Sequence, residues 1–144
     1  MKILIADDEP VTCRLLEWLT RKWGYDPVVV QDGQIAAWLL ERHDAPRIAL
    51  LDWMMPGLDG VAICKKVRSR PALPYVYVIL LTAKARKQDA IEGLEAGADD
   101  YVTKPFDPDE LRARCAAGKR IIDYLGEASV KLNHPEAEVV TSQP

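Results

Sequence analysis

Short unbroken apolar runs alternate along this chain with longer stretches in which apolar residues return every three or four positions. The runs "KILIAD" (2–7), "PVVVQD" (27–32), "RIALLD" (47–52), "VYVILLT" (76–82) and "DYVTK" (100–104) predict five strands. Several are apolar at consecutive positions rather than alternating, the pattern of strands covered on both faces. The stretches 11–24, 33–43, 60–69, 85–97 and 107–128 carry apolar residues at helical spacing with charges between them, and predict five helices. Gly24 and Gly97 stand where helix C-caps are expected. Asp107, with Glu110 three residues on and Pro108 between, reads as an N-cap.

Strict strand–helix alternation implies an α/β fold, a doubly wound parallel sheet with right-handed crossovers and helices on both faces. The pattern assigns 1–128 to one domain. The remainder, 129–144, has no sustained period and two prolines, and reads as a frayed end or the start of a linker.

Composition works mainly by exclusion. A chain of 144 residues, 49% hydrophobic, 28% charged and with a formal net charge of -3, is expected to be one globular domain. No apolar run reaches the ~18 residues that a membrane helix needs, and the N-terminus lacks the layout of a signal peptide. The expected location is cytoplasmic, with no membrane contact. A mildly acidic balance gives no support for direct nucleic-acid binding. Cys13, Cys64 and Cys115 are odd in number, far apart and without a CxxC pair, so they read as small reduced residues on helices, not a disulfide framework or zinc site. His43 and His134 read as surface residues. Trp18, Trp23 and Trp38 fall in amphipathic stretches and read as core or half-buried packing.

The chemistry sits where the strands stop. A greasy run ending on Asp52 is unusual, because Asp is almost never fully buried unless paired or metal-bound. The first strand ends on Asp7, Asp8 and Glu9, the fourth on Thr82 and the fifth on Lys104. In a doubly wound sheet these ends share one edge, where ligands bind beside the switch point in strand order. Clustered carboxylates repel unless one is protonated or a cation holds them. Magnesium fits best, since it takes oxygen ligands and usually binds through a few carboxylates, phosphate oxygens and water. A hydroxyl and an ammonium opposite it would complete a cradle for a phosphoryl group. Asp52 could then act as nucleophile and form an aspartyl phosphate.

"ADDEP", "LLDWMMPGLDG", "LLTA", "GADDYVTKPF" and "DELRARC" together resemble the receiver domain of bacterial two-component response regulators. The resemblance covers roughly residues 1 to 125, and as an ordered set these motifs are highly specific. It implies a flavodoxin-like strand order of 2-1-3-4-5 and a phosphoacceptor role for Asp52, supplied by a phosphohistidine on a sensor histidine kinase or phosphotransfer protein. Asp8 would bind Mg2+ directly, Asp7 would help through water, and the Met54 backbone carbonyl would be a further ligand. Thr82 and the Ala83 backbone N–H would bind the phosphoryl group, and Lys104 would pair with it. The Lys104–Pro105 bond would be cis, and Tyr101 would be the aromatic that changes rotamer with phosphorylation. Met54 and Lys84 would tune dephosphorylation. Such a chain would be a regulatory phosphoacceptor and not an enzyme, acting on an output domain or downstream effector. A phosphorylation-linked homodimer would use the fourth helix, fifth strand and fifth helix, where Asp100, Glu110 and Arg114 match the pattern but Ala90 replaces the usual basic residue.

The residues also speak against three rival readings. A magnesium phosphatase with an aspartyl nucleophile needs an aspartate two positions later, where Met54 stands. A flavin mononucleotide binder needs a hydroxyl- and glycine-rich loop after the first strand, whereas "DDEPVT" would repel phosphate without a metal. A degenerate receiver would lack some of the site residues, and none is lacking. Asp59 and Gly60 read as turn and helix-start chemistry. Trp53 stands out only because it follows the acceptor.

Overall fold

The computed structural model describes residues 1–133. Strands β1 (Lys2–Ala6), β2 (Asp26–Val30), β3 (Ile48–Leu51), β4 (Tyr77–Thr82) and β5 (Asp100–Thr103) alternate with helices α1 (Pro10–Lys22), α2 (Gly33–Leu40), α3 (Gly60–Arg68), α4 (Lys87–Ala96) and α5 (Pro108–Asn133). All strand pairs are parallel, in the order β2-β1-β3-β4-β5. Chain order reverses at β1, which lies between β2 and β3.

The consecutive apolar positions are explained by two cores, one on each face. Leu4, Ala6, Ala49, Leu51, Val78 and Leu80 face the core closed by α2 and α3. Their neighbours Ile3, Ile5, Ile48, Leu50, Ile79 and Leu81 face the core closed by α1 and α5. Adjacent strand residues point to opposite faces, so only an unbroken apolar run satisfies both. Burying each such side chain contributes about 1.5–3 kcal/mol. Cys13, Cys64 and Cys115 are free and buried on α1, α3 and α5, and burial pushes the Cys64 and Cys115 thiols up to about 12.

Helix ends follow their local chemistry. Glu9, Asp32 and Asp59 cap α1, α2 and α3, each accepting from backbone amides of the first turn. Asp107 accepts from the amides of Asp109 and Glu110 at the start of α5. Gly97 closes α4 at φ 121, and Gly24, at φ 93, follows the C-cap of α1. Both angles lie in the left-handed region that glycine enters without steric cost.

Three expectations change. Helix α5 runs on to Asn133, past the boundary expected at 128; residues 134–144, His134 among them, lie outside the described residues. Helix α2 stops at Leu40, and the Glu41 beyond it pairs with Arg70 at 2.9 Å and Lys66 at 3.6 Å. Trp18 and Trp38 are not core residues, being 60% and 61% exposed; only Trp23 packs partly against a core. On α2 the small residues Gly33, Ala36 and Ala37 are buried, which brings the helix close to its neighbours and turns the bulky Ile35 and Trp38 outward. Trp18 and Trp38 instead lie beneath Lys22 and Arg42, at 5.1 and 4.9 Å from the ring centroids.

Candidate functional site

Parallel strands bring Asp7, Asp52, Thr82 and Lys104 to one edge, each at or one residue past the end of β1, β3, β4 and β5. The Lys104 ammonium reaches across it, donating to Asp7 Oδ2 at 2.6 Å and Asp52 Oδ2 at 2.9 Å. Asp7 Oδ1 also accepts from the Glu9 amide at 2.9 Å, and Asp52 Oδ1 from the Met54 amide at 3.3 Å. Asp7 and Asp52 are both buried, whereas Asp8 is exposed beside them. Carboxylate oxygens of Asp7, Asp8 and Asp52 lie within 4.8 Å of one another. Glu9 is not part of this group, because its side chain is used in capping α1.

The site carries more negative than positive charge. Burial raises the Asp7 carboxyl above its ordinary range, although hydrogen bonds from Lys104 and the Glu9 amide offset part of that rise. Burial works against the Lys104 ammonium, but its hydrogen bonds to Asp7 and Asp52 outweigh it and raise its pKa. Three carboxylates face one ammonium, leaving an excess negative charge between oxygen donors. That donor set fits a hard divalent cation, so the cluster could bind a metal. Among the described residues the Met54 carbonyl accepts no hydrogen bond and the Ala83 amide donates none, so both remain free for a ligand.

A cleft of about 290 Å³ opens over this edge, lined by Asp52, Met54, Thr82, Ala83 and Lys84. Larger hollows of about 490 and 420 Å³ lie elsewhere, around Leu73, Pro74, Tyr75 and Leu125, and among the described residues neither is lined by a carboxylate. Thr82 is fully buried, and its Oγ1 accepts from the Lys84 amide at 3.3 Å. The Tyr101 hydroxyl donates to the Lys84 carbonyl at 2.7 Å, so its ring points toward the site. The Lys104–Pro105 peptide is cis.

Two features escaped the sequence. Trp53 is buried, packs edge-on against Tyr101 at 6.4 Å, and carries the Lys84 ammonium 4.4 Å from its ring centroid. The loop after Asp52 also rests on the start of α2. The Gly33 amide donates to the Pro56 carbonyl at 2.9 Å, and a Cβ at Gly33 would stand 1.7 Å from the Leu58 carbonyl oxygen. The "DG" at 32–33 signals a helix start, but nothing local indicates what lies against it.

Residues 3–116 match the family model described as response regulator receiver domain. The chain is 40% identical over 139 residues to the probable transcriptional regulator ycf27 of Porphyridium aerugineum, covering 96% of this chain and 55% of that protein. It therefore spans about half the length of that relative. It resembles the receiver domain of the Francisella response regulator 1452, with 36% identity, a TM-score of 0.76, and coverage of 83% of this chain and 98% of that one. It also resembles the BeF3-activated N-terminal receiver domain of RstA from Klebsiella pneumoniae, with 32% identity, a TM-score of 0.75, and coverage of 82% and 97%.

Proposed function

This chain belongs to the response regulator receiver domain family, and from that premise we propose that Asp52 accepts a phosphoryl group, with Mg2+ bound among Asp7, Asp8, Asp52 and the Met54 carbonyl. The observation that carries the reading is the Lys104 ammonium shared between Asp7 and Asp52 beside a cleft that Thr82 and Ala83 also line. In the transfer an Asp52 carboxylate oxygen bonds to phosphorus as the bond from phosphorus to the donor's imidazole nitrogen breaks, and that nitrogen keeps the electron pair. The donor is the phosphohistidine of a sensor histidine kinase or phosphotransfer protein. Lys104 then pairs with the phosphoryl oxygens, while the Thr82 hydroxyl and Ala83 N–H donate to them. A metal held by Asp7, Asp8, Asp52 and the Met54 carbonyl would neutralise charge on the transferring phosphoryl group. Tyr101, bonded to the Lys84 carbonyl, carries the change toward α4, β5 and α5.

In this account the chain is a regulatory phosphoacceptor controlling an output domain or downstream effector. The length and description of the Porphyridium relative support a transcriptional output in a longer protein, with DNA contacts made outside this chain. No helix among the described residues is long and apolar enough to cross a membrane, which agrees with a cytoplasmic setting. A phosphorylation-linked homodimer through α4, β5 and α5 would have to use Arg114, which here bonds within the chain to Asp100 at 2.9 Å and Glu110 at 3.0 Å.

The test is intact-mass measurement after incubation with acetyl phosphate and Mg2+. One phosphoryl adduct is expected, lost on chelation and absent in Asp52→Asn. An equal adduct in Asp52→Asn overturns the assignment.

A further inference from the structure

Lys84 is the cation of this site without a carboxylate partner. Among the described residues it makes no ion pair; its ammonium lies on the face of Trp53, while its backbone is fixed at both ends, the amide on Thr82 Oγ1 and the carbonyl on the Tyr101 hydroxyl. Lys84 nonetheless lines the same cleft as Asp52. We infer that Trp53 holds Lys84 in reserve as a second, displaceable cation for that cleft, and that a phosphoryl group on Asp52 draws the ammonium off the indole.

Charge balance gives the reason. This inference rests on the reading of Asp52 as phosphoacceptor with a divalent cation beside it. Before transfer, three carboxylates face a doubly charged metal and the Lys104 ammonium, and the set is neutral. Nothing then pulls Lys84 from the ring. Transfer converts Asp52 to an acyl phosphate and brings a phosphoryl group of about −1.5 to −2 charge, leaving about half to one negative charge uncompensated. Free Asp52 pulls less on Lys84, because Lys104 and the Met54 amide already bind its two oxygens.

The resting position is also suited to release. An ammonium over a ring is held by the ring quadrupole alone, whereas a phosphoryl oxygen offers a charge-assisted hydrogen bond, the stronger of the two. Trp53 is 4% exposed, so its indole stays in place when the ammonium leaves. The Lys84 amide is held on Thr82 Oγ1, so the long side chain is the part that swings. Trp53 is thus a positioning residue that acts through Lys84, and its emission reports where the ammonium is.

The experiment uses the full chain with Trp18, Trp23 and Trp38 changed to Phe, so that Trp53 alone emits. Protein saturated with Mg2+ receives acetyl phosphate, and emission and intact mass are followed together. An emission change per mole of adduct is expected here and with Lys84→Arg added, and its loss per mole of adduct is expected with Lys84→Met added. The inference is overturned if Lys84→Met keeps the full change, or if the Lys84 protein gains the adduct with no change at all. Absence of any adduct in the Lys84 protein instead overturns the phosphoacceptor reading, and this inference with it.

Discussion

Gly33→Ala places a methyl group where the structure leaves no room for one. Its Cβ would lie 1.7 Å from the Leu58 carbonyl oxygen and 2.6 Å from the carbonyl carbon, both backbone atoms that no rotamer change can move. The separation must roughly double to reach ordinary contact, so either α2 or the loop that follows Asp52 has to shift. Helix α2 is anchored through buried Ala36, Ala37 and Leu40, whereas Met54, Pro56 and Gly57 of the loop are exposed; the loop is the part that gives way. Replacing Gly with Ala also restricts the unfolded chain, which alone stabilises by about 0.4–1 kcal/mol. Overpacking costs about 1–3 kcal/mol, so the expected sum is destabilising. Misplacing a group that orients a metal ligand typically costs roughly 10–100-fold in affinity, and the loop carries the Met54 carbonyl. The assay is urea unfolding in chelator, to read stability without metal, beside a Mg2+ titration followed by Trp53 emission. A variant as stable as the wild type and equal to it in Mg2+ affinity would refute this account of the loop.

Met54 offers only a thioether, a weak acceptor that cannot orient an attacking water as an amide could, so the adduct should decay faster in Met54→Asn once donor is removed; wild-type decay as fast or faster would count against this. With Cys64 and Cys115 held at about 12 by burial, the thiolate fraction at pH 8 is on the order of one in ten thousand. Neither should react with an aromatic disulfide reagent until the protein is unfolded, and prompt native labelling would contradict the packing. Because Arg114 is already paired with Asp100 and Glu110, and exposed pairs contribute about 0–1 kcal/mol, sedimentation of the phosphorylated chain should show weak association at most. A tight dimer dissolved by Arg114→Glu would show that these charges are instead shared between copies.

Much of this architecture could be read from the sequence because the relevant signals are local. "RIALLD" must serve two cores at once, and its apolar run says so before any contact is known. The site was legible for a related reason. Parallel strands force their C-terminal ends together, so Asp7, Asp52, Thr82 and Lys104 meet wherever the alternation holds. What stayed hidden depends on contacts distant in sequence or on competing apolar stripes. Helix α1 carries one stripe through Cys13, Leu16 and Leu19, which is buried, and another through Val11, Leu15 and Trp18, which is exposed; spacing alone cannot choose between them. Arg68 links three segments, donating to the Val76 and Gly97 carbonyls and pairing with Asp99 at 2.7 Å. No pattern within α3 announces a partner 31 residues away. The ammonium of Lys84 on Trp53 is hidden for the same reason, since β3 and β4 bring the two residues together.

If Asp52 is the carboxylate that becomes the acyl phosphate, chemical trapping identifies it at the level of the residue. Borohydride reduces an acyl phosphate to the alcohol, which turns a phosphorylated aspartate into homoserine. Protein treated with acetyl phosphate and Mg2+, then reduced and digested, should yield homoserine at position 52 and at no other aspartate, with none after chelation of the metal. Homoserine at Asp7 or Asp8, or its absence from position 52 in protein that carries the adduct, would contradict the account.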